Sequence, residues 1–337
     1  MTGDSETSLA GVVRSFEGRR VLVLGDLVAD QFLFGEISRV SREAPVLILR
    51  HERTETVPGG AANCVMNLAS LGARAAVVGV VGDDESGRAL VEKLTAAGVD
   101  CAGVLVESGV RTPTKVRVLA GHAHAPRQQV IRVDYEGGPS VGPEVGARLE
   151  RLVRERHDGA EAVIVSDYNY GAASGGAVEF LRGAARGGGP PALVDSRFRL
   201  REFAGFTSAT PNEDEVEQLA GRRLADERAV EEAGARLREQ LGHRALLVTR
   251  GKQGMMLFEE GRAPLRLGAV GSRDAVDVTG AGDTVIAAYA LALAAGAGFA
   301  DAARLANHAG GVVVMKRGTA TVSARELLAS LAQAGEG

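Results

Sequence analysis

Five short apolar runs, separated by segments with helical spacing, limit what this chain can fold into more than any other feature. Uninterrupted apolar runs are typical of strands that are buried on both faces. Their alternation with helices predicts an α/β fold with a mostly parallel sheet covered by helices on both faces. The 337 residues, 45% of them hydrophobic, allow one large domain or two modest ones. The predicted strands are 21–24, 76–81, 162–165, 192–194 and 245–248.

Polar residues follow several of these predicted strands. Asp26, Asp167, Asp195 and Thr249 each come at or just after a strand end. Ligands of open parallel sheets bind beyond the carboxyl ends of the strands. We therefore expect the functional site at that edge of the sheet, with some of these side chains in it.

The segment 277–284, Asp-Val-Thr-Gly-Ala-Gly-Asp-Thr, predicts chemistry at one point on that edge. An apolar run over 285–295 follows it, so the segment is predicted to enter a buried helix. Helix N-terminal amides favour an anion, and small residues let a phosphate come close to the backbone. Asp283 is placed to take a proton from an alcohol that attacks a phosphoryl group. The alternative is a glycine-rich turn with Asp283 as the helix N-cap.

Four motifs in one order then resemble a known family. The chain resembles the ribokinase/phosphofructokinase-B family of sugar kinases from about residue 20 to 331. The resemblance implies an α/β, ribokinase-like three-layer sandwich with a mostly parallel central sheet and a small β-lid. It implies one kinase domain over 15–331, lid segments at about 32–53 and 115–135, flexible tails at 1–14 and 332–337, and a homodimer through the lid. The motifs are 58–63 (Pro-Gly-Gly-Ala-Ala-Asn), 210–215 (Thr-Pro-Asn-Glu-Asp-Glu), 249–254 (Thr-Arg-Gly-Lys-Gln-Gly) and 277–283.

The resemblance also implies ATP and Mg²⁺ as cofactors, with K⁺ as a further cation. Asn212 and Glu215, spaced i, i+3, would organise Mg²⁺ through water, or would only form a capping box. Asp277 would help to hold the monovalent cation, or would only brace its loop. The implied residues are Asp283 as base with Gly280, Ala281 and Gly282 as anion hole; Asp30, Gly59, Gly60 and Asn63 for the sugar; Asn212, Thr249, Gly251, Gly254 and Asn307 for the nucleotide; and Asp277 and Thr279 for K⁺.

One part of the chain is similar to a narrower branch, the D-glycero-D-manno-heptose-7-phosphate kinases. The segment 38–46, Ser-Arg-Val-Ser-Arg-Glu-Ala-Pro-Val, carries that similarity. It implies phosphorylation of the anomeric hydroxyl of heptose 7-phosphate. Tyr170 stands where the branch usually has Lys, and Arg197 replaces another Lys, so a different sugar or phosphate grip stays open. No nucleotidyltransferase-like segment follows in this sequence, so any adenylylation is expected from another protein.

Composition excludes other classes of function. A net charge of −4 and the absence of Trp argue against nucleic-acid binding, and no apolar run reaches transmembrane length. Cys64 and Cys101 are expected to be free thiols, and the polar first residues do not resemble a signal peptide, so we expect a cytoplasmic protein. The alternatives to a heptose kinase are a kinase for another sugar and a sugar- or nucleotide-sensing module without catalysis.

Overall fold

The computed structural model describes residues 8–121, 127–136, 141–271 and 275–335. Within those residues the strands are β1 (Arg20–Gly25), β2 (Leu27–Val40), β3 (Leu47–Gly60), β4 (Arg74–Gly82), β5 (Asp100–Glu107), β6 (Thr114–Gly121), β7 (Gln128–Tyr135), β8 (Ala162–Asp167), β9 (Ala192–Ser196), β10 (Ser208–Ala209), β11 (Ala245–Thr249), β12 (Met255–Glu259) and β13 (Leu265–Leu267). The α-helices are α1 (Leu9–Arg14), α2 (Ala61–Ser70), α3 (Glu85–Ala96), α4 (Pro143–His157), α5 (Gly175–Arg186), α6 (Glu213–Ala220), α7 (Glu227–Leu241), α8 (Ala281–Ala294), α9 (Phe299–Val313) and α10 (Ala324–Ala334).

The large sheet has the strand order β13-β12-β11-β10-β9-β8-β1-β4-β5 within the described residues. Its pairs are parallel from β5 through to β11, and β12 and β13 add antiparallel strands at one edge. The predicted central strands are fully buried, which explains their uninterrupted apolar sequences. Parallel pairing brings their carboxyl ends to one edge, where a cleft is formed.

Helices cover both faces of this sheet, as the alternation of strands and helices predicts. On one face α2, α3, α8, α9 and α10 form a core with Phe16 and Tyr289. On the other face α4, α5, α6 and α7 pack around Phe203, Phe206 and Phe258. The three-layer α/β sandwich expected from the resemblance is therefore confirmed.

The second sheet, with the order β3-β2-β6-β7, is the expected lid. Strands β2 and β3 form a long antiparallel pair over Leu27–Val40 and Leu47–Gly60, which extends beyond the predicted segment 32–53. The pair is longer because Leu27 and Val28 continue directly from β1 and Gly60 leads directly into α2. Part of the predicted lid segment 115–135 lies outside the described residues.

Parts of the segments predicted to be flexible tails, 1–14 and 332–337, are helical. Residues Leu9–Arg14 form α1, whose Ser8 side chain caps the helix and whose Val12 and Val13 are buried. The helix forms because its apolar side chains pack on the core next to α10. At the other end α10 continues to Ala334, with Leu331 buried, and the first seven and last two residues lie outside the described part.

The expected free thiols and the expected lack of a transmembrane run can be compared with the structure. Cys64 and Cys101 are both free, and Cys64 is buried. Among the described residues, no helix combines the length and the apolar character that crossing a membrane would need.

Candidate active site

The strand-end aspartates at the cleft have different roles. Asp26 accepts backbone hydrogen bonds from Tyr168 at 2.8 Å, Tyr170 at 3.0 Å and Ala172 at 3.0 Å, so it braces the loop after β8. Asp167 accepts from Ser196 Oγ at 2.6 Å and pairs with Arg199 at 2.5 Å. These two carboxylates are therefore occupied in holding loops, although they stand where site residues are expected.

Asp195 differs from those two aspartates. Within the described part of the chain, no protein group donates a hydrogen bond to its carboxylate. One of its oxygens lies 3.8 Å from the point where a side chain on Gly282 would begin, so it faces the start of α8. Burial, with the nearby carboxylates of Glu215 and Asp283, raises the pKa of Asp195 well above its usual range.

Asp283 is buried in the first turn of α8, and both carboxylate oxygens are held. Asn63 Nδ2 donates to Oδ2 at 2.9 Å, and the Tyr168 hydroxyl donates to Oδ1 at 2.9 Å. Burial raises the pKa of Asp283 to about 7, although these two hydrogen bonds favour the charged form. A carboxylate with a pKa close to neutral is suited to accept a proton from an alcohol.

The start of α8 matches an anion site. Gly280 is the N-cap, with a φ of 75° that side chains rarely adopt, so Asp283 is not the N-cap that the alternative interpretation supposed. The Ala281 amide donates to the Val278 carbonyl at 3.2 Å. For Gly282 and Asp283, no backbone acceptor is found within the described residues. The amides of Gly282 and Asp283, unlike that of Ala281, are therefore available to bind a phosphate.

The residues predicted for the sugar lie on β2, at the end of β3 and on α2. Asp30 is buried and forms an ion pair with Arg117 of β6, and Thr319 Oγ1 donates to it at 3.3 Å. A Cβ on Gly59 would lie only 2.6 Å from Asp30 Oδ2, so glycine is required for this close approach. The structure thus brings Asp30, Gly59 and Gly60 together, with the Asp30 charge balanced by the lid.

Asn63 has a contact that the sequence did not predict. Its Nδ2 is directed to Asp283 and to the Gly280 carbonyl at 3.3 Å, and its Oδ1 accepts from Asn67 at 3.2 Å. Asn67 in turn accepts from Thr284 Oγ1 at 3.1 Å. Asn63 therefore ties α2 to α8 and orients the carboxylate, in place of the free donor and acceptor expected for sugar hydroxyls.

Four of the five predicted nucleotide residues line one cavity of about 190 Å³, and Asn212 is not among its lining residues. Thr249, Gly251, Gly254 and Asn307 are all in its wall, and Asn307 Nδ2 donates to the Gly268 carbonyl at 2.7 Å. The cavity reaches Ala281 and Gly282, at the start of α8. The largely apolar wall fits a base, and the α8 amides at its end fit phosphates. Its apolar members include Met255, Val270, Val285 and Val314.

Asn212 and Glu215 form the capping box that the sequence left as an alternative. The Glu215 amide donates to Asn212 Oδ1 at 2.8 Å, and the Asn212 amide donates to Glu215 Oε2 at 2.9 Å. Burial raises the pKa of Glu215. Within the described residues, no cluster of three or more acidic, His or Cys side chains could hold a metal. One carboxylate and one amide, those of Glu215 and Asn212, fit a Mg²⁺ ion that takes most of its ligands from phosphates and water. They do not form a full set of protein ligands.

Asp277 is bonded to its own loop. Its Oδ1 accepts from the Thr279 amide at 2.9 Å, and its Oδ2 accepts from the Gly318 amide at 2.9 Å. Burial alone would raise the pKa of Asp277, but these hydrogen bonds bring it below its usual range. The geometry matches the bracing alternative, and K⁺ binding by Asp277 and Thr279 stays a prediction.

The sequence is similar to that of known carbohydrate kinases and their relatives. The chain matches the model described as "pfkB family carbohydrate kinase" over residues 19–132 and 157–326. It is 41% identical over 320 residues to the "Bifunctional protein HldE" of Desulfatibacillum aliphaticivorans, covering 95% of this chain and 64% of that protein. It is 43% identical over 316 residues to the protein of the same name in Edwardsiella ictaluri, covering 93% and 63%. The chain thus spans somewhat less than two thirds of these relatives.

Solved structures support the fold. Arabidopsis thaliana ribokinase, complexed with ribose and ATP, superposes with a TM-score of 0.72 at 22% identity over 94% of this chain and 99% of that one. The phosphofructokinase-2 of Escherichia coli in complex with potassium gives a TM-score of 0.76 at 21% identity, again over 94% and 99%. At these identities the similarity establishes the ribokinase-like fold alone.

Proposed function

Since this chain belongs to the pfkB family of carbohydrate kinases, we propose that it transfers the γ-phosphate of ATP to a sugar hydroxyl, with Asp283 as the general base. One observation supports this most directly. Asp283 lies in the first turn of α8, whose preceding residues Ala281 and Gly282 reach the nucleotide cavity. On its other side Asp283 contacts Asn63, beside the loop of Gly59 and Gly60. The carboxylate therefore lies between the residues proposed for the nucleotide and those proposed for the sugar.

The residues of the chain divide the work of phosphoryl transfer. Asp283 takes the proton of the attacking hydroxyl, while the amides at the start of α8 stabilise the phosphoryl group as its negative charge shifts. Asp30, held by Arg117, accepts hydrogen bonds from sugar hydroxyls in this proposal. Mg²⁺, when bound with ATP, supplies charge neutralisation at the phosphates, and Glu215 and Asn212 would hold it through water.

The acid limb of activity should reflect the ionisation of Asp283. Because burial raises the pKa of this carboxyl to about 7, the base is half protonated at neutral pH. The value of kcat/KM is expected to fall about tenfold for each pH unit below 7 and to level off above it. A profile measured from pH 5 to 9 checks this. An acid limb centred near pH 4 would contradict the proposed environment of the base.

The role of Glu215 can be separated from its cap. Gln keeps the reciprocal hydrogen bonds of a capping box but removes the charge. Glu215→Gln should therefore leave thermal stability nearly unchanged and raise the Mg²⁺ concentration for half-maximal activity by about tenfold or more. Glu326→Gln controls for the Mg²⁺ titration, because Ser323 and Glu326 form a second capping box on α10, although it also removes an ion pair with Lys316 at 2.7 Å. Equal Mg²⁺ titrations for Glu215→Gln and wild type would leave Glu215 as a cap only.

We propose the anomeric hydroxyl of D-glycero-D-manno-heptose 7-phosphate as the acceptor. The similarity of segment 38–46 to that kinase branch supports it, as does the 41–43% identity to relatives named "Bifunctional protein HldE". At the position where the branch has Lys, the Tyr170 hydroxyl lies 3.2 Å from Lys115 Nζ of the lid. Lys115 Nζ also lies 3.5 Å from Asp134 and 3.4 Å from Glu136, so its charge is shared with these carboxylates. In this proposal Lys115 exchanges them for the sugar phosphate.

A substrate panel tests this assignment. Mg²⁺- and ATP-dependent release of ADP would be measured with heptose 7-phosphate, fructose 6-phosphate, ribose and unphosphorylated heptose. Selective turnover of heptose 7-phosphate is expected. Turnover of another sugar would keep the kinase and reject the heptose, and ATP binding without turnover in the whole panel would favour the sensing module.

We also propose a homodimer through the lid. Apolar side chains are exposed on both edge strands of the lid, β3 and β7. Among them are Leu47 and Ile131, which are 48% and 55% exposed. Such a surface is favourable for association with a second copy. Sedimentation analysis should give twice the chain mass, and a monomer at micromolar concentration would contradict this.

A further inference from the structure

The loop after β8 is held in an unusual conformation beside the base. Asp26 accepts three of its amide hydrogen bonds, from residues 168, 170 and 172. Asn169, next to Tyr168, has a φ of 66° and is the only non-glycine residue with positive φ in the described part of the chain. Such backbone persists only where surrounding contacts enforce it. Asp26 therefore fixes the backbone from which the Tyr168 side chain projects.

The Tyr168 side chain projects from this loop to Asp283. Its ring lies against Gly60, with Cδ2 3.3 Å from the point where a Cβ on Gly60 would stand. Its hydroxyl then donates to Asp283 Oδ1 at 2.9 Å, opposite Asn63, which donates to Oδ2. Two donors on opposite oxygens fix the carboxylate plane and leave lone pairs for a substrate hydroxyl.

Burial opposes the ionisation of Asp283, and the Asp30 carboxylate of β2 adds to that effect. Asp195 of β9 and the Cys64 thiol of α2 also face this region, with Arg197 beside Asp195. Burial raises the pKa of the Tyr168 hydroxyl well above its usual range, so it stays protonated at every pH at which Asp283 works. Tyr168 is therefore a constant donor to the charged form of Asp283.

We propose that Tyr168 is a positioning residue of the phosphoryl transfer, whose hydroxyl acts on Asp283 to favour its ionised state at neutral pH. This rests on the proposed function of Asp283 as base. Tyr168 acts through Asp283 and needs no contact with the substrate. The sequence analysis assigns Tyr168 no role, because its partner lies 115 positions further along the chain.

The pH profile of Tyr168→Phe tests this role. Phe keeps the ring against Gly60 and removes only the hydroxyl. Loss of a hydrogen bond to a charged group should move the acid limb of kcat/KM up by about one pH unit. The variant should therefore be about fivefold slower than wild type at pH 7 and nearly equal to it at pH 9.

Tyr170→Phe is the matched control. It removes a hydroxyl from the same loop, but that hydroxyl contacts Glu136 at 2.7 Å and Lys115 instead of Asp283. Its acid limb should stay at the wild-type position, whatever its effect on KM. A Tyr168→Phe deficit that is constant with pH, or an equal shift in both variants, would overturn the inference while leaving Asp283 as base. Full activity of Asp283→Asn would instead reject the proposed function.

Discussion

Replacing Asp283 by Asn is expected to lower kcat by about two to four orders of magnitude, the usual contribution of a general base. The amide has nearly the same shape and can still accept from Asn63, but it cannot take a proton from the sugar. The KM for ATP should change little, because the nucleotide cavity contacts Ala281 and Gly282 and not the Asp283 side chain. Steady-state kinetics with saturating Mg²⁺ and ATP measure both quantities.

The same variant should not be less stable than wild type above pH 7. Burial raises the pKa of Asp283 from 3.8 to about 7, so its contribution to stability is full below pH 3.8 and is lost as pH rises through 7. Asn carries no charge and avoids that loss. Thermal unfolding at pH 8 should give an unfolding midpoint equal to or above wild type. A well-folded variant with wild-type kcat would remove Asp283 from the mechanism.

Among these variants, Asp167→Ala is expected to have the largest effect on stability. Asp167 is the last residue of β8. Its side chain is fully buried, whereas that of Arg199 is 22% exposed. Removing one partner of a buried pair typically costs about 3–5 kcal/mol. Among the described residues, Arg199 would keep only the exposed Glu202, 3.3 Å away, as an ion-pair partner. The free energy of unfolding, measured by urea denaturation at pH 7, should fall by about that amount.

Two variants serve as controls for this prediction. Asp301→Ala removes an exposed i, i+3 pair with Arg304 and should cost less than about 1 kcal/mol. The double change Asp167→Ala with Arg199→Met should be less destabilising than Asp167→Ala alone, because the cation that has lost its buried partner is also removed. An Asp167→Ala variant as stable as Asp301→Ala would show that the buried pair does not hold the loop after β8.

The sequence predicts the framework of the cleft because that information is local. Runs such as 162–165 and 245–248 are buried strands, and their order along the chain produces the parallel sheet. The small residues 280–282 need only their own backbone to form the start of α8. The nucleotide cavity follows from loops directly attached to these elements.

The contacts that organise the base could not be predicted in the same way. Asn63 and Asp283 are 220 positions apart, and only the packing of α2 against α8 brings them together. The residue type of Asn63 fits a sugar hydroxyl and a carboxylate equally well, so the sequence could not decide between them. For Asp26 and Asp167, strand-end position suggested a functional role, but nearby amides and Arg199 occupy them.

The most direct test of the proposed phosphoryl transfer, with Asp283 as base, is to identify the phosphorylated product. Wild-type protein and Asp283→Asn would each be incubated with ATP, Mg²⁺ and D-glycero-D-manno-heptose 7-phosphate, and the reactions followed by phosphorus NMR. With wild type, we expect a new phosphate on the anomeric hydroxyl and an intact 7-phosphate. With Asp283→Asn, this product should be nearly absent. A phosphate on another hydroxyl, no transfer at all, or equal transfer by both proteins would contradict the proposal.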